Sequence, residues 1–197
     1  MSSGNVAISK KKEEERNSTF PDAANRVWSR RSTKGFTTVP RALPLIGQIM
    51  DALSNRMPLS PTYFDLWFKS FDEMYLIIDS PHERATFSGF GGDRRETTWT
   101  TRMRLLVKHG FIEACAGTRG EFHHVLIVNP YIAVAAIEID AERASQVGKE
   151  LLAAYHARLR EVGAEVPPLT PPAPPAPPLP TGVAVPKARK LARPKKP

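Results

Sequence analysis

The segment DRRETTWTTRMRLLVKHGFIEACAGTRGEFHHVLIV, Asp93 to Val128, divides into a helix and a β-hairpin at Gly110. Asp93 is a residue type that caps helix N-termini, and Glu96 three residues on completes a capping-box pattern. Gly110 follows Lys108 and His109, the arrangement of a glycine-closed helix end with cations in its last turn. At about 100° per residue, Trp99, Met103, Leu106 and Val107 share one side, which predicts packing on a core. Arg94, Thr97, Thr101, Arg104 and Lys108 recur at steps of three and four on the opposite side. That row mixes cations with hydroxyls and holds no carboxylate, the residue set that contacts phosphates and base edges. A basic stripe is also what any solvated helix face carries, so the row alone does not choose between the two.

The flanks add weight. Phe111–Ala116 and Phe122–Val128 read as strands, joined by the turn Gly117-Thr118-Arg119-Gly120. Upstream, Ser60-Pro61 opens a helix to about Asp72, and Met74 to Ile78 reads as a short strand. Ser80-Pro81-His82-Glu83 is a second capping-box pattern, for a helix to about Ser88, and Gly89-Phe90-Gly91-Gly92 is a turn. The order is helix, strand, helix, turn, helix, strand, wing, strand. With the run TTWTTRMRLLVKHGFIEA, it resembles a winged helix-turn-helix DNA-binding domain. The chain also has the general look of small winged-helix proteins of bacterial plasmids and integrative elements.

The resemblance implies a mainly α fold with a small antiparallel β-hairpin, a winged helix-turn-helix with extra N- and C-terminal helices and disordered ends. It implies that Arg94, Thr97, Thr101, Arg104 and Lys108 face the major groove of double-stranded DNA. Arg119, on a glycine-flanked wing tip, would reach the minor groove or the backbone.

Charge is unevenly spread over the 197 residues. The net charge is +8, with +6 in residues 187–197, +5 in residues 1–41 and −3 between. Auxiliary phosphate contacts are therefore expected from Arg30 and Arg31 and from Lys187, Arg189, Lys190, Arg193, Lys195 and Lys196. Around Arg30, the run Arg26 to Lys34 interleaves Trp28 with cations. It suits an arm along DNA and equally a Trp-anchored strand tucked on the domain. Four segments are expected: a disordered basic arm (1–34), the winged-helix domain (35–139), a C-terminal helix (140–163), and a proline-rich spacer with a basic tail (164–197).

Other elements follow from local pattern. Pro40 opens a helix to about Ser54, with Leu43, Ile46, Ile49, Met50 and Leu53 inward. Phe64, Trp67, Phe68 and Phe71 form an aromatic stripe expected in the core. Asn129-Pro130 starts another helix, and Asp140 caps a long one, Ala141 to Val162, closed by Gly163. Its stripe of Ala144, Val147, Leu151, Tyr155, Leu159 and Val162 either packs back on the domain or pairs with a second copy as a homodimer. Pro167 to Pro180 reads as a stiff polyproline spacer.

Several classes are disfavoured. Cys115 is the single cysteine, so no intramolecular disulfide is expected and a reducing compartment is the simplest reading. His123 and His124 are adjacent on a strand and so point to opposite faces, which argues against a shared metal. Gly91-Gly92 lacks the preceding strand and following Lys-Ser/Thr of a phosphate loop. No catalytic constellation, cofactor or metal is expected. No apolar leader is visible, and Val125 to Ile139 is broken by Asn129-Pro130, so the expectation is a cytoplasmic protein without a membrane span. The expected partner is duplex DNA, for transcription regulation or plasmid and mobile-element replication. The alternative is a winged-helix module that binds proteins and not DNA.

Overall fold

Proline opens some helices of this chain and glycine closes others. The computed structural model describes residues 3–30, 32–55 and 57–169. In chain order they form α1 (Ser3–Thr19), α2 (Ala23–Arg26), α3 (Leu43–Ala52), α4 (Ser60–Lys69), β1 (Tyr75–Ile77) and α5 (Pro81–Phe87). These are followed by α6 (Arg95–Lys108), β2 (Ile112–Gly117), β3 (Gly120–Ile127), α7 (Pro130–Glu138), α8 (Ala141–Val147) and α9 (Lys149–Val162). The fold is mainly helical, with a small antiparallel sheet in the order β1-β3-β2. All of these elements lie in the unit that ends at Pro167.

Pro44, Pro61, Pro81 and Pro130 occupy first-turn positions, where a missing N–H costs no intrahelical bond. Caps are supplied where expected at three starts. Ser80 Oγ accepts from Glu83 N at 3.2 Å, and Asn129 Oδ1 from Tyr131 N at 3.0 Å. Asp140 Oδ1 accepts from Glu142 N and Arg143 N, both at 3.1 Å. The start of α4 is capped from outside. Asp51 of α3 accepts from the backbone N–H of Leu59 at 2.7 Å and of Ser60 at 2.8 Å, and from Ser60 Oγ at 2.7 Å. That grip fixes how α4 is rotated against α3.

One core joins the elements from α3 to α9. Ile46, Ile49 and Met50 of α3, Tyr63 and Leu66 of α4, Trp99, Met103 and Leu106 of α6, and Val125 of β3 are fully buried in it. Val134 and Ile137 of α7 and Tyr155 of α9 complete it. The sheet pairs Leu76 with Val125 on one side of β3 and Ala114 with Val125 on the other. Near the hairpin tip the register changes. Cys115 pairs with His124 and Gly117 with Gly120, so three residues of β3 oppose one of β2. Such an irregularity bends the strand and re-aims its side chains.

Five expectations are corrected. Asp93 does not cap α6: the helix begins at Arg95, with Arg94 at the cap position and no side-chain cap bond. The first backbone bond runs from Thr98 N to Arg94 O, which leaves Asp93 outside the helix. Val107 is 40% exposed, because it lies at the edge of the inward face.

Phe68 and Phe71 are 59% and 76% exposed, and the core side of α4 is Tyr63, Leu66 and Trp67. Phe71 lies past the helix end at Ser70, and Phe68 is turned outward once Asp51 has set the rotation. The expected single helix 141–162 is two, broken at Gly148 with φ 91° and ψ 145°, a region that L side chains avoid. Val147, Tyr155 and Leu159 of those helices are buried in the core, so the stripe packs back on the domain, the first of its two expected outcomes.

The arm expected to be disordered contains α1 and α2. Lys10–Lys12 and Glu13–Glu15 stand three and four apart along α1, so opposite charges align on its surface. The proline segment beyond Leu169 and the basic tail lie outside the described residues.

Candidate nucleic-acid interface

The candidate surface is the outer face of α6 with the tip of the β2–β3 hairpin. Three sets of bonds place α6. Between α5 and α6, Gly89 N bonds Thr86 O and Phe90 N bonds Ala85 O, both at 3.0 Å, which closes α5 in a tight turn. Arg95 Nε donates to Gly92 O at 2.9 Å and Arg95 Nη1 to Thr86 Oγ1 at 3.3 Å, and His82 Nδ1 meets Glu96 Oε1 at 2.9 Å. On the far side, Arg102 Nε donates to Pro58 O at 3.1 Å. α5 is itself tied to α4 by the buried pair Arg84–Asp65 at 3.1 Å. Desolvation pushes the Asp65 carboxyl above its usual range, against the opposing pull of Arg84 and Lys69.

At the other end, Gly110 has φ 78°, a conformation that glycine adopts without a Cβ penalty. Gly110 N bonds Val107 O and Phe111 N bonds Leu106 O, both at 3.0 Å, the paired bonds of a Schellman end. Leu106 and Phe111, fully buried, accompany the turn. The chain then enters β2 directly, and the hairpin lies beside α6, with Phe122 against Trp99 and Glu121 against Arg104.

The structure brings the predicted row together. Arg94, Thr97, Arg104 and Lys108 are exposed along α6, and Thr101 is half-buried. Thr101 Oγ1 donates to Thr97 O at 2.9 Å, so its hydroxyl retains its acceptor side only. Lys108 stands at the helix C-terminus, where the helix dipole favours a cation. It borders a polar hollow of about 510 Å³ with Asn55, Asp140, Glu142, Arg143 and Gln146. His109, in the same hollow, is buried, and desolvation, then Lys108 and Arg143, depress its imidazole pKa.

Arg104 has a partner that the helix pattern could not show. Its Nη2 donates to Glu121 Oε2 at 2.7 Å, and its Nε lies 3.2 Å from each carboxylate oxygen. Both side chains are well exposed, at 62% and 52%. The Arg104 hydrogen bond holds the Glu121 carboxyl below its usual range, and Glu121 raises the guanidinium in return. Sequence reasoning missed Glu121. Its outward direction was legible, since it alternates with the inward Phe122. Its reach to Arg104 depends on the irregular hairpin register.

Arg119 is exposed at the tip of the two-residue turn between Gly117 and Gly120. Arg30 is not brought to this face. Its guanidinium lies 5.8 Å over the Phe36 ring, and Phe36 borders a groove with Phe68 and Phe71. Trp28 is 60% exposed and packs edge-on against Phe36, so it is not tucked into the core. Arg31, Lys187, Arg189, Lys190, Arg193, Lys195 and Lys196 lie outside the described residues.

Among the described residues, no group of three His, Cys, Asp or Glu side chains is placed to hold a metal ion. His124 Nδ1 meets Tyr75 Oη at 2.7 Å, and His123 Nδ1 meets Ile78 O at 3.2 Å. Among the same residues, no helix is long and apolar enough to cross a membrane. Compared with family models, curated proteins and solved structures, the chain matches none.

Proposed function

We propose that residues 60–127 form a winged helix that binds double-stranded DNA. α6 lies in the major groove, and the β2–β3 tip lies beside the adjacent minor groove or backbone. The observation that carries the proposal is the outer face of α6. Arg94, Thr97, Arg104 and Lys108 are held together in solvent on a helix whose inner face and both ends are fixed. A helix pinned in this way presents base-contacting groups at low entropic cost. Support also comes from the element order α4, β1, α5, α6, β2, β3 and the strand order β1-β3-β2, which are those of a winged helix. Arg119 supplies a cation at the tip, and narrow minor grooves attract arginine. The basic ends of the sequence add phosphate contacts that carry no sequence information.

The role within this reading is transcription regulation or replication on a plasmid or other mobile element, in the cytoplasm and without catalysis. The test is binding-site selection from random duplex DNA with the full chain. The wild type should enrich one short site, and Thr97→Ala should weaken binding to it by roughly 1–3 kcal/mol if Thr97 meets a base edge. Enrichment of no site would contradict sequence reading by this face.

A second reading is a winged helix that docks proteins and not DNA. It is favoured by the rings left in solvent at Phe36, Phe68 and Phe71, which border a groove of about 620 Å³. The same selection separates the two, because a protein-docking module enriches no DNA site.

A further inference from the structure

The Arg104–Glu121 pair is unexplained by stability. Exposed ion pairs contribute little to folding, and this one lies in solvent on both sides. Its geometry is specific. Glu121 takes the side-on edge of the guanidinium, formed by Nε and Nη2. A guanidinium carries five N–H donors in a rigid plane. The pair uses Nε and one donor of Nη2. One donor on Nη2 and both on Nη1 are left, and Arg104 Nη1 has no hydrogen-bond partner among the described residues. The Nη1–Nη2 edge therefore presents two parallel donors to solvent.

Two parallel donors match O6 and N7 of guanine in the major groove. An unheld arginine can swing to any phosphate, whereas a clamped one keeps its plane. Clamping in the free protein removes the ordering cost that binding would otherwise carry. The Glu121 charge also repels nearby phosphates and so lowers affinity for every sequence, while the clamped Arg104 restores affinity only where a guanine meets it; together they raise the ratio of specific to random binding.

We propose that Glu121 is a specificity-determining residue that holds Arg104 ready to read one guanine in the major groove. This rests on the DNA-binding reading above.

The experiment measures DNA affinity of the full chain by fluorescence anisotropy. The first probe is a random-sequence duplex at low salt. The second is the selected site, with each guanine replaced in turn by 7-deazaguanine, which lacks the N7 acceptor. One replacement should weaken wild-type binding by at least about 5-fold, the lower end of a bidentate base contact. The same replacement should leave Arg104→Ala unaffected. Glu121→Gln should lose most of that discrimination and bind the random duplex more tightly than the wild type. Both positions are exposed, so circular dichroism of the variants should match the wild type. If Glu121→Gln keeps full discrimination, or no guanine responds, the proposal is overturned while DNA binding stands. If the wild type does not bind the random duplex, the DNA-binding reading fails and the proposal falls with it.

Discussion

α4 and α6 pack on the same core and turn different surfaces to solvent. In α6 the two faces differ in kind. Trp99, Met103 and Leu106 are buried, and the opposite row is cationic and hydroxylic. In α4 and just past it, aromatic residues lie on more than one side. Tyr63 and Trp67 are buried, while Phe68 and Phe71 stand in solvent. Periodicity assigns an inward face where polar residues supply contrast. Where apolar residues surround the helix, neighbours decide, and here the neighbour is Asp51, whose carboxylate grips the start of α4. The polar face of α6 is the surface proposed to meet DNA, and the aromatic one is a surface that periodicity could not foresee.

The sharpest way to break that contrast is at the buried ring of α6. Trp99 is fully buried and meets Phe122 edge-on, with centroids 5.8 Å apart. Trp99→Ala should lower stability by roughly 3–5 kcal/mol, read by urea unfolding. A variant that unfolds like the wild type would mean that the faces of α6 are reversed. The matching change past α4 should do little. Phe71→Ala should stay within about 0.5 kcal/mol of the wild type, as surface substitutions usually do. A loss as large as that of Trp99→Ala would put Phe71 back in the core.

The smallest effect is a titration. The Glu121 carboxyl should titrate below its usual range in the wild type and return to that range in Arg104→Ala, measured by NMR of the side-chain carboxyl. Its folded-state pKa is depressed by the hydrogen bond from Arg104. The contribution of the pair is therefore present above the unfolded carboxyl pKa and is lost as pH falls through the depressed one. An unshifted Glu121 in the wild type would show that the pair is not held in solution.

What was legible was local. Gly110 as the helix end, the turn between Gly117 and Gly120, and the caps Ser80, Asn129 and Asp140 each follow from a few neighbouring residues. What was not legible depends on residues far apart or on backbone path. The start of α6 is set by Arg95 reaching Gly92 and Thr86, and not by an Asp93 cap. Gly148 breaks a stripe whose spacing continues unchanged through it, and a helix can carry glycine at a cost of about 1 kcal/mol. Periodicity alone therefore had no reason to divide 141–162. The candidate row on α6 was readable because it lies on one helix, whereas Glu121 joins it across 17 residues of chain.

In the proposed reading, the cationic face of α6 is a phosphate- and base-contacting surface. Its signature is the affinity of the full chain for random duplex DNA between about 50 and 200 mM salt. Log affinity should fall linearly with log salt, by about 0.9 per phosphate contact, and Lys108→Ala should flatten the slope by up to about 0.9. Absence of binding at the low-salt end, or an affinity that does not change with salt, would contradict it.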